Sequence, residues 1–379
     1  MHERSVLGPA DVSDDQLAAM VARLLGAGDA ASVELRSSRA RPVDYALPAL
    51  TTAARWWVDG TAIVEGRDAD YRIFVKHVQE WARSPLFHEV PEEVRAWAAG
   101  LVPWRTEGAV YRSDLADRLP EGLAMARPLG VHDIDPGSYG VWLEAVRAVD
   151  VAWDLARYRR AAHLLGRFAA STAVRALAGV GGHDWDVSRY VESRLAHQVL
   201  PLLGSDEVWR HPLVASSFGP LRGRLLDAAE RLPELCAELL GLPLLAGHGD
   251  ACPNNLLVRP DRPGFTLIDF GFFMALPVAF DLGQLLVGDV QLGRRDALDL
   301  AERDEACVRA YADGLAAEGV DLGLPVVRRA HALHLLLFSG LSAIPFELLD
   351  AEPTNETRAI AASSAAIARF SLDLLDRTG

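Results

Sequence analysis

Lysine is almost missing from this chain of 379 residues. Lys76 is the only one, and every other long cationic side chain is arginine. A base-composition bias in the coding DNA accounts for the arginine excess and makes the exception informative. Cysteine is scarce as well. Cys236, Cys252 and Cys307 are too few and too scattered for a disulfide frame or a zinc site. No stretch concentrates Lys and Arg, and the formal net charge is −14, which argues against a nucleic-acid partner. The most apolar run, from Ala330 to Leu348, holds two His, two Ser and a Pro and is flanked by Arg328 and Arg329. It reads as a buried helix, so no membrane partner is expected. The start, Met1-His2-Glu3-Arg4, lacks the apolar region of a signal peptide. What is present fits a large cytoplasmic protein: half of the residues are apolar, enough for a sizeable core in one bilobed unit or two domains.

The most informative run is His248-Gly249-Asp250-Ala251-Cys252-Pro253-Asn254-Asn255-Leu256-Leu257, followed by Ile268-Asp269-Phe270-Gly271. It reads H-x-D-x-x-x-x-N, then a strand ending in D-F-G. Leu256-Leu257-Val258 and Phe265-Thr266-Leu267-Ile268 predict two short strands. The turn formers Arg259 to Gly264 join them. That hairpin would deliver Asn255 and Asp269 to one end of a small sheet, beside Asp250. The spacing suits transfer of a γ-phosphoryl group. One carboxylate orients and deprotonates the attacking hydroxyl, and two oxygen ligands hold Mg²⁺ on the phosphates.

The H-G-D form, with Pro and Asn-Leu-Leu behind it, resembles the aminoglycoside phosphotransferase family, small-molecule kinases of protein-kinase-like fold. The resemblance implies an α+β, bilobed fold with a five-stranded antiparallel N-lobe and a mostly helical C-lobe. It makes Asp250 the catalytic base and Asn255 and Asp269 the metal ligands. Lys76, in the alternating run Tyr71 to Val78, is similar to the strand lysine that contacts the α/β-phosphates. A compact ammonium fits a crowded phosphate site as an arginine fork does not. A solvated surface lysine is the alternative. Trp104-x-x-Glu107 before Val110 and Tyr111 resembles the family's helix carrying the glutamate partner of that lysine. An ordinary first-turn Glu is the alternative. His248 and Asp281, the latter in the step Phe280-Asp281-Leu282-Gly283, would support the catalytic loop. A plain carboxylate at a helix start remains open for Asp281.

Parts of the pattern depart from the family. No G-x-G-x-x-G precedes Lys76. The stretch Leu47 to Ala54 stands there instead, with Thr51 and Thr52 as candidates to face the phosphates. No A-P-E segment or long activation loop follows Gly271, which disfavours a protein kinase. Backbone groups of Glu144, Ala145 and Val146 would hold the adenine or guanine edge.

Along the chain, Ser13 is a predicted N-cap, with Asp14 and Asp15 opening a helix that ends near Gly26. Strand-like runs fall at 32–45, 53–64, 71–78, 127–133 and 139–146. Residues 85–103 form an insertion with its own helix from Pro91-Glu92-Glu93, and the Glu107 helix should run through Leu119. From about 150 the chain reads as helical, apart from the hairpin. The expected division is an N-lobe at 1–145, nucleotide-binding, and a C-lobe at 146–379, with the catalytic hairpin and substrate site. Cys252 reads as a loop-filling residue, and His331 and His334 share a helix face without a third ligand.

Taken together, the expectation is an ATP- or GTP-dependent O-phosphotransferase using Mg²⁺, acting on a hydroxyl of a small molecule. The preferred acceptor is cationic: an aminoglycoside-like or other amine-bearing antibiotic or natural product, in resistance or biosynthesis. A kinase for choline, homoserine or a sugar is the alternative within this chemistry, and a non-catalytic nucleotide-binding regulator the alternative outside it. Acceptor-binding residues and oligomeric state are not specified. Asp154, Asp184, Asp186, Glu192 and Asp289 are carboxylates that could receive ammonium groups.

Overall fold

The structure, a computed structural model, describes residues 2–45, 49–183, 186–350 and 352–379. Leu47 and Pro48 of the loop ahead of Lys76, and Asp184, lie outside the described residues.

Helix α1 (Asp14–Leu25) begins where expected. Ser13 Oγ accepts from Gln16 N, Gln16 returns the bond to Ser13 N, and Gly26 closes the helix in the left-handed region. Its buried Leu17, Met20 and Val21 lie on one face of a sheet. That sheet orders as β1 (His2–Glu3), β2 (Val33–Pro42), β3 (Thr52–Val64), β4 (Arg67–Gln79), β7 (Ser138–Glu144) and β6 (Pro128–Asp135). Five strands are antiparallel, as expected. The sixth is a two-residue edge strand pairing parallel with β2, too short to leave a periodic signal.

The period of two on β4 separates the faces. Tyr71, Ile73 and Val75 pack on the α1 side. Val78 and Phe74 pack with the core of the second lobe, so Lys76, between them, faces the cleft. Helix α2 (Thr106–Arg112) carries Val110 and Tyr111 into that core. It is shorter than expected: Ser113 is extended, and a separate turn at Leu115–Arg118 follows. The polar run Arg112-Ser113-Asp114 interrupts the apolar face and lets the Ser113 hydroxyl bond Val110 O. The insertion holds short 3₁₀ turns and a four-residue helix at Arg95–Ala98, with a small core of Phe87, Val90 and Ala98.

The remaining residues are mostly helical: α3 (Leu155–Ala170), short helices between Thr172 and Leu240, α4 (Phe280–Gln291), α5 (Leu300–Ala317), α6 (Leu324–Leu335) and α7 (Asn355–Thr378). Helices α3 and α5 cross at Gly166 and Gly314, where a Cβ on either would collide with the other's backbone. The Ala330–Leu348 run is buried but is not one helix. It passes from α6 into a π-helical turn at Leu336–Gly340, then a bend and a 3₁₀ turn at Phe346–Leu348. Pro345 and Gly340 punctuate it. No helix among the described residues is long and apolar enough to cross a membrane.

Besides β1, three further strands were not anticipated: Leu123–Met125, Leu244–Gly247 and Met274–Pro277. β5 (Leu123–Met125) pairs parallel with β10 (Phe265–Leu267), which pairs antiparallel with β9 (Leu256–Leu257). β8 (Leu244–Gly247) pairs with β11 (Met274–Pro277). Strands of three or four residues give too few positions to show alternation. Functionally they matter: the β9–β10 hairpin is anchored to first-lobe chain by β5, and the β8–β11 pair brackets the two loops that hold Asp250 and Asp269.

Candidate active site

Lys76 sits on the middle strand of the sheet, opposite Arg55 on β3 and Val141 on β7. It is 5 % exposed, so its ammonium needs partners. It has two: Nζ donates to Glu107 Oε2 at 2.6 Å and to Asp269 Oδ1 at 2.9 Å. Burial alone would lower the lysine pKa, but Asp269 and Glu107 outweigh it and raise it. The surface alternatives for Lys76 and Glu107 are therefore excluded. The helix carrying Glu107 is fixed from the sheet: Tyr139 Oη accepts from Gly108 N at 3.0 Å and donates to Trp104 O at 2.7 Å, with the Trp104 and Tyr139 rings stacked at 5.9 Å.

Asp269 is one of the few non-glycine residues with a left-handed backbone, at φ 63°, ψ 62°. Such a conformation costs on the order of 1 kcal/mol and persists where the surroundings impose it. Here it turns the carboxylate back toward Lys76 while Phe270 enters the core against Tyr111 and His248. Lys76 lowers the Asp269 pKa against the opposing effect of burial, so the carboxylate is ionised. Its side chain remains 40 % exposed toward the cleft.

The loop that carries Asp250 is held from beneath. Asp281, at the start of α4 and 3 % exposed, accepts His248 N and Gly249 N, each at 2.8 Å, one on each carboxylate oxygen. It is not a free carboxylate at a helix start. Gly249 has φ +80°, and a Cβ there would strike the Phe272 carbonyl, so this step of the motif admits glycine alone. His248 is fully buried. Its Nδ1 accepts from Asp250 N at 3.3 Å and its Nε2 faces Ile268 O at 3.0 Å. That pattern requires the neutral ring with its proton on Nε2, and burial lowers its pKa accordingly. The ring thereby ties the Asp250 loop to the Asp269 strand.

Asn255 Nδ2 donates to Asp250 O at 2.8 Å and to Asp250 Oδ2 at 2.9 Å. With its nitrogen committed, Asn255 has its amide oxygen left to offer. Burial, reinforced by the nearby Asp269 charge, pushes the Asp250 carboxyl up to about 6. Two carboxylates of one cleft are thus driven apart in acidity: Lys76 lowers Asp269 while burial raises Asp250. The oxygens of Asn255 and Asp269 suit a hard cation that takes its remaining ligands from phosphate and water. Cys252 is held protonated: burial raises its thiol to about 12.

The other expected residues fall as follows. Thr52 opens β3 opposite Val78, and Thr51 O accepts Gln79 N, at the end of β4 just beyond Lys76. Glu144 ends β7; its N–H donates to Arg127 O and its carboxylate accepts from Arg259 Nη1 at 2.9 Å. Ala145 and Val146 follow it in irregular chain, and Val146 O accepts Ala148 N. Of the proposed ammonium receivers, Asp154 and Asp186 are helix caps, accepting from Arg157 N and from Ser188 N and Arg189 N. Glu192 is exposed on a π-helical turn. His331 and His334 are core residues, the first 2.8 Å from Asp304 and the second with its ring tilted against Phe280, centroids 4.0 Å apart.

Residues 85–319 match the APH profile, described as a phosphotransferase enzyme family. That span contains Glu107, Asp250, Asn255, Asp269 and Asp281. Among solved structures, an aminoglycoside phosphotransferase from Alicyclobacillus acidocaldarius is similar, with a TM-score of 0.52 and 16 % identity, over 85 % of this chain and 89 % of that one. A microcompartment-associated aminopropanol kinase reaches 0.46 at 16 % identity over 95 % and 98 %. A spectinomycin phosphotransferase reaches 0.46 at 11 % identity over 89 % and 92 %. No curated protein matches. With well over half of its length inside the profile, the chain belongs to the APH phosphotransferase family and is a small-molecule O-phosphotransferase of kinase-like fold.

Proposed function

We propose that this enzyme transfers the γ-phosphoryl group of ATP or GTP, with Mg²⁺, to a hydroxyl of a small cationic molecule of the aminoglycoside-like or amine-bearing natural-product class. The observation that carries the site assignment is the buried relay itself: one lysine joins Glu107 to Asp269, while Asn255 holds Asp250.

In this reading Asp250 orients the acceptor hydroxyl and takes its proton as the new P–O bond forms. Its raised pKa matches it to that task near neutral pH. The oxygens of Asn255 and Asp269 would hold the cation beside the phosphates. When bound, such a cation would supply charge neutralisation for the transferring group. On nucleotide binding the Lys76 ammonium turns from Asp269 to the α/β-phosphates, with Glu107 keeping it in place. Thr51 and Thr52 border the phosphates, and backbone groups at Glu144 to Val146 border the base. Asp281 and His248 keep the loop rigid. The nucleotide half of the machinery lies in residues 1–145, and the hairpin and acceptor wall in 146–379.

The amine preference rests on the net charge of −14, since an acidic surface draws cations into a cleft. A cytoplasmic role in resistance or biosynthesis follows from such a substrate. The test is a panel of ATP and GTP against aminoglycosides, other amine antibiotics, choline, homoserine and neutral sugars, read by nucleoside-diphosphate release. The best acceptor should be cationic, with kcat/KM falling as salt rises. A neutral sugar as best acceptor, without salt dependence, would defeat the amine assignment and leave the phosphotransfer chemistry standing.

A further inference from the structure

Helix α2, which carries Glu107, does not support itself. It has seven residues and no side-chain N-cap, and a helix shorter than about 12 residues is marginal unless its neighbours hold it. Two neighbours grip it, each through a glycine. On the sheet side, a Cβ on Gly108 would collide with the Tyr139 ring. Thr106 stands two positions earlier and about 200° round the helix, so it faces the other way. There it meets the second lobe: a Cβ on Gly181 would collide with Thr106 Oγ1, and Thr106 is buried. The helix is thus pinched between the two lobes, with Glu107 between the two contact points.

The 85–103 insertion extends the second grip. His183 Nε2–H donates to Gly100 O at 3.0 Å, and the Nδ1 of the same ring is buried without a partner. Trp97 meets His197 edge-on, with ring centroids 5.9 Å apart and planes at 72°, while it stays 38 % exposed. These contacts are light. The insertion keeps a small core of its own, Phe87, Val90 and Ala98, apart from the cores of either lobe. A single hydrogen bond and one ring pair hold lobes together and still allow them to part.

We infer that the insertion closes a clasp on the second lobe at Gly181, His183 and His197, and that Trp97 and His183 are positioning residues. Closed, the clasp presses α2 against the sheet and keeps Glu107 on Lys76. Open, it frees the helix and loosens the hold of Lys76 on the nucleotide. The Lys76–Glu107 bond of 2.6 Å joins a strand to this helix, so a shift of α2 by about 1 Å carries it out of hydrogen-bond range. The clasp therefore links the lobe that holds the acceptor wall to the grip on the phosphates. This inference rests on the reading of Lys76 as the phosphate lysine.

The experiment measures the affinity of the full chain for AMP-PNP with Mg²⁺ by calorimetry. Gly181→Ala drives the second lobe off Thr106 and should weaken binding about 10-fold. Trp97→Ala and His183→Ala should each weaken it about 3- to 10-fold, the scale of one ring pair or one hydrogen bond. His183→Gln, whose amide can donate to the same carbonyl, should recover most of that loss. In a Lys76→Ala background Gly181→Ala should add nothing, because the clasp acts through the lysine. A purely structural contact would lower the melting midpoint and leave affinity alone. Unchanged affinity in Gly181→Ala thus overturns the clasp. A full additional loss in the Lys76→Ala background overturns it as well, since the effect would then lie elsewhere in the cleft. If Lys76→Ala by itself binds AMP-PNP as tightly as wild type, the phosphate reading fails, and the clasp falls with it.

Discussion

The catalytic hairpin and the helical wall beside it solve opposite problems. Between 244 and 290, the buried polar groups of the motif are tied to named partners: Asp281 to two backbone N–H groups, His248 to both flanking loops, Asn255 to Asp250. Between 187 and 240 the interior is Leu195, Val199, Trp209, Phe218, Leu221, Leu225 and Leu235, and the carboxylate of Asp186 is spent on a helix start. The first region stores its specificity in hydrogen bonds that allow one residue type per position. The second stores stability in apolar volume that many residues could fill. Substitutions should therefore separate: activity lost without stability in the hairpin, stability lost without chemistry in the wall.

The strongest test of that separation is Asp250→Asn. It keeps the Asn255 contact and removes only the proton acceptor. We expect kcat to fall by about 10²–10⁴-fold, with nucleotide-dependent thermal protection retained. Near-normal turnover would mean that another group takes the proton.

The mirror experiment is Phe218→Ala. This ring is fully buried in the wall, and its removal should cost about 3–5 kcal/mol of unfolding free energy in a denaturant titration. Below the melting transition, kcat should stay within about twofold. A large kcat loss at full folding would place this wall inside the chemistry and collapse the contrast.

Lys76→Arg asks whether the first-lobe arm of the relay tolerates charge without shape. The ammonium lies at 2.6 and 2.9 Å from two carboxylates in a buried slot, where a planar fork does not fit. Turnover at saturating nucleotide should drop about 100-fold, a smaller effect than losing the base because charge is conserved. Wild-type kinetics would show that Lys76 does not meet the phosphates.

These contrasts also explain what could be read from sequence. The hairpin residues were legible because chemistry fixes both their type and their spacing: Asp250, Asn255, Asp269 and Asp281 all fall in one short stretch. Lys76 was legible because it stands alone among arginines. The long strands β2 to β4 showed their alternation. The two-residue β1 and the three- and four-residue strands β5, β8 and β11 were too short to show any. The break at Ser113 and the π turn at Leu336–Gly340 depend on tertiary packing that local pattern does not encode.

The pH dependence sharpens the comparison within the site. Asp250 is raised from 3.8 to about 6, so activity should fall on the acid side through about pH 6, as the base becomes protonated. The stability sign is the reverse of an ordinary paired carboxylate. The folded protein binds the proton more tightly than the unfolded chain. Asp250 therefore favours folding below about pH 4, and its contribution declines as pH rises from about 4 to about 6. The loss should be on the order of 1–2 kcal/mol, after discounting the part of the group that reaches solvent. Chemical denaturation of wild type and Asp250→Asn across pH 4 to 8 reads it directly. The variant should gain relative stability through that window and hold the gain above it. A difference independent of pH would mean that Asp250 titrates normally and owes nothing to its burial.

The smallest expected effect lies in the wall and tests whether its carboxylates are structural. Asp186 accepts from Ser188 N at 2.7 Å and Arg189 N at 3.3 Å, satisfying two of the orphan donors of a helix start. Asp186→Ala should cost about 1 kcal/mol, seen as a modest shift of the denaturation midpoint. Asp186→Asn or Ser, which can also cap, should recover most of it. Because the carboxylate is turned onto its own helix, the KM for a cationic acceptor should not move in any of the three variants. If KM rose several-fold in Asp186→Asn while stability held, the charge rather than the cap would be what the position supplies. An acceptor ammonium would then sit on the wall, and the division between a chemical hairpin and a purely structural wall would have to be redrawn at this residue.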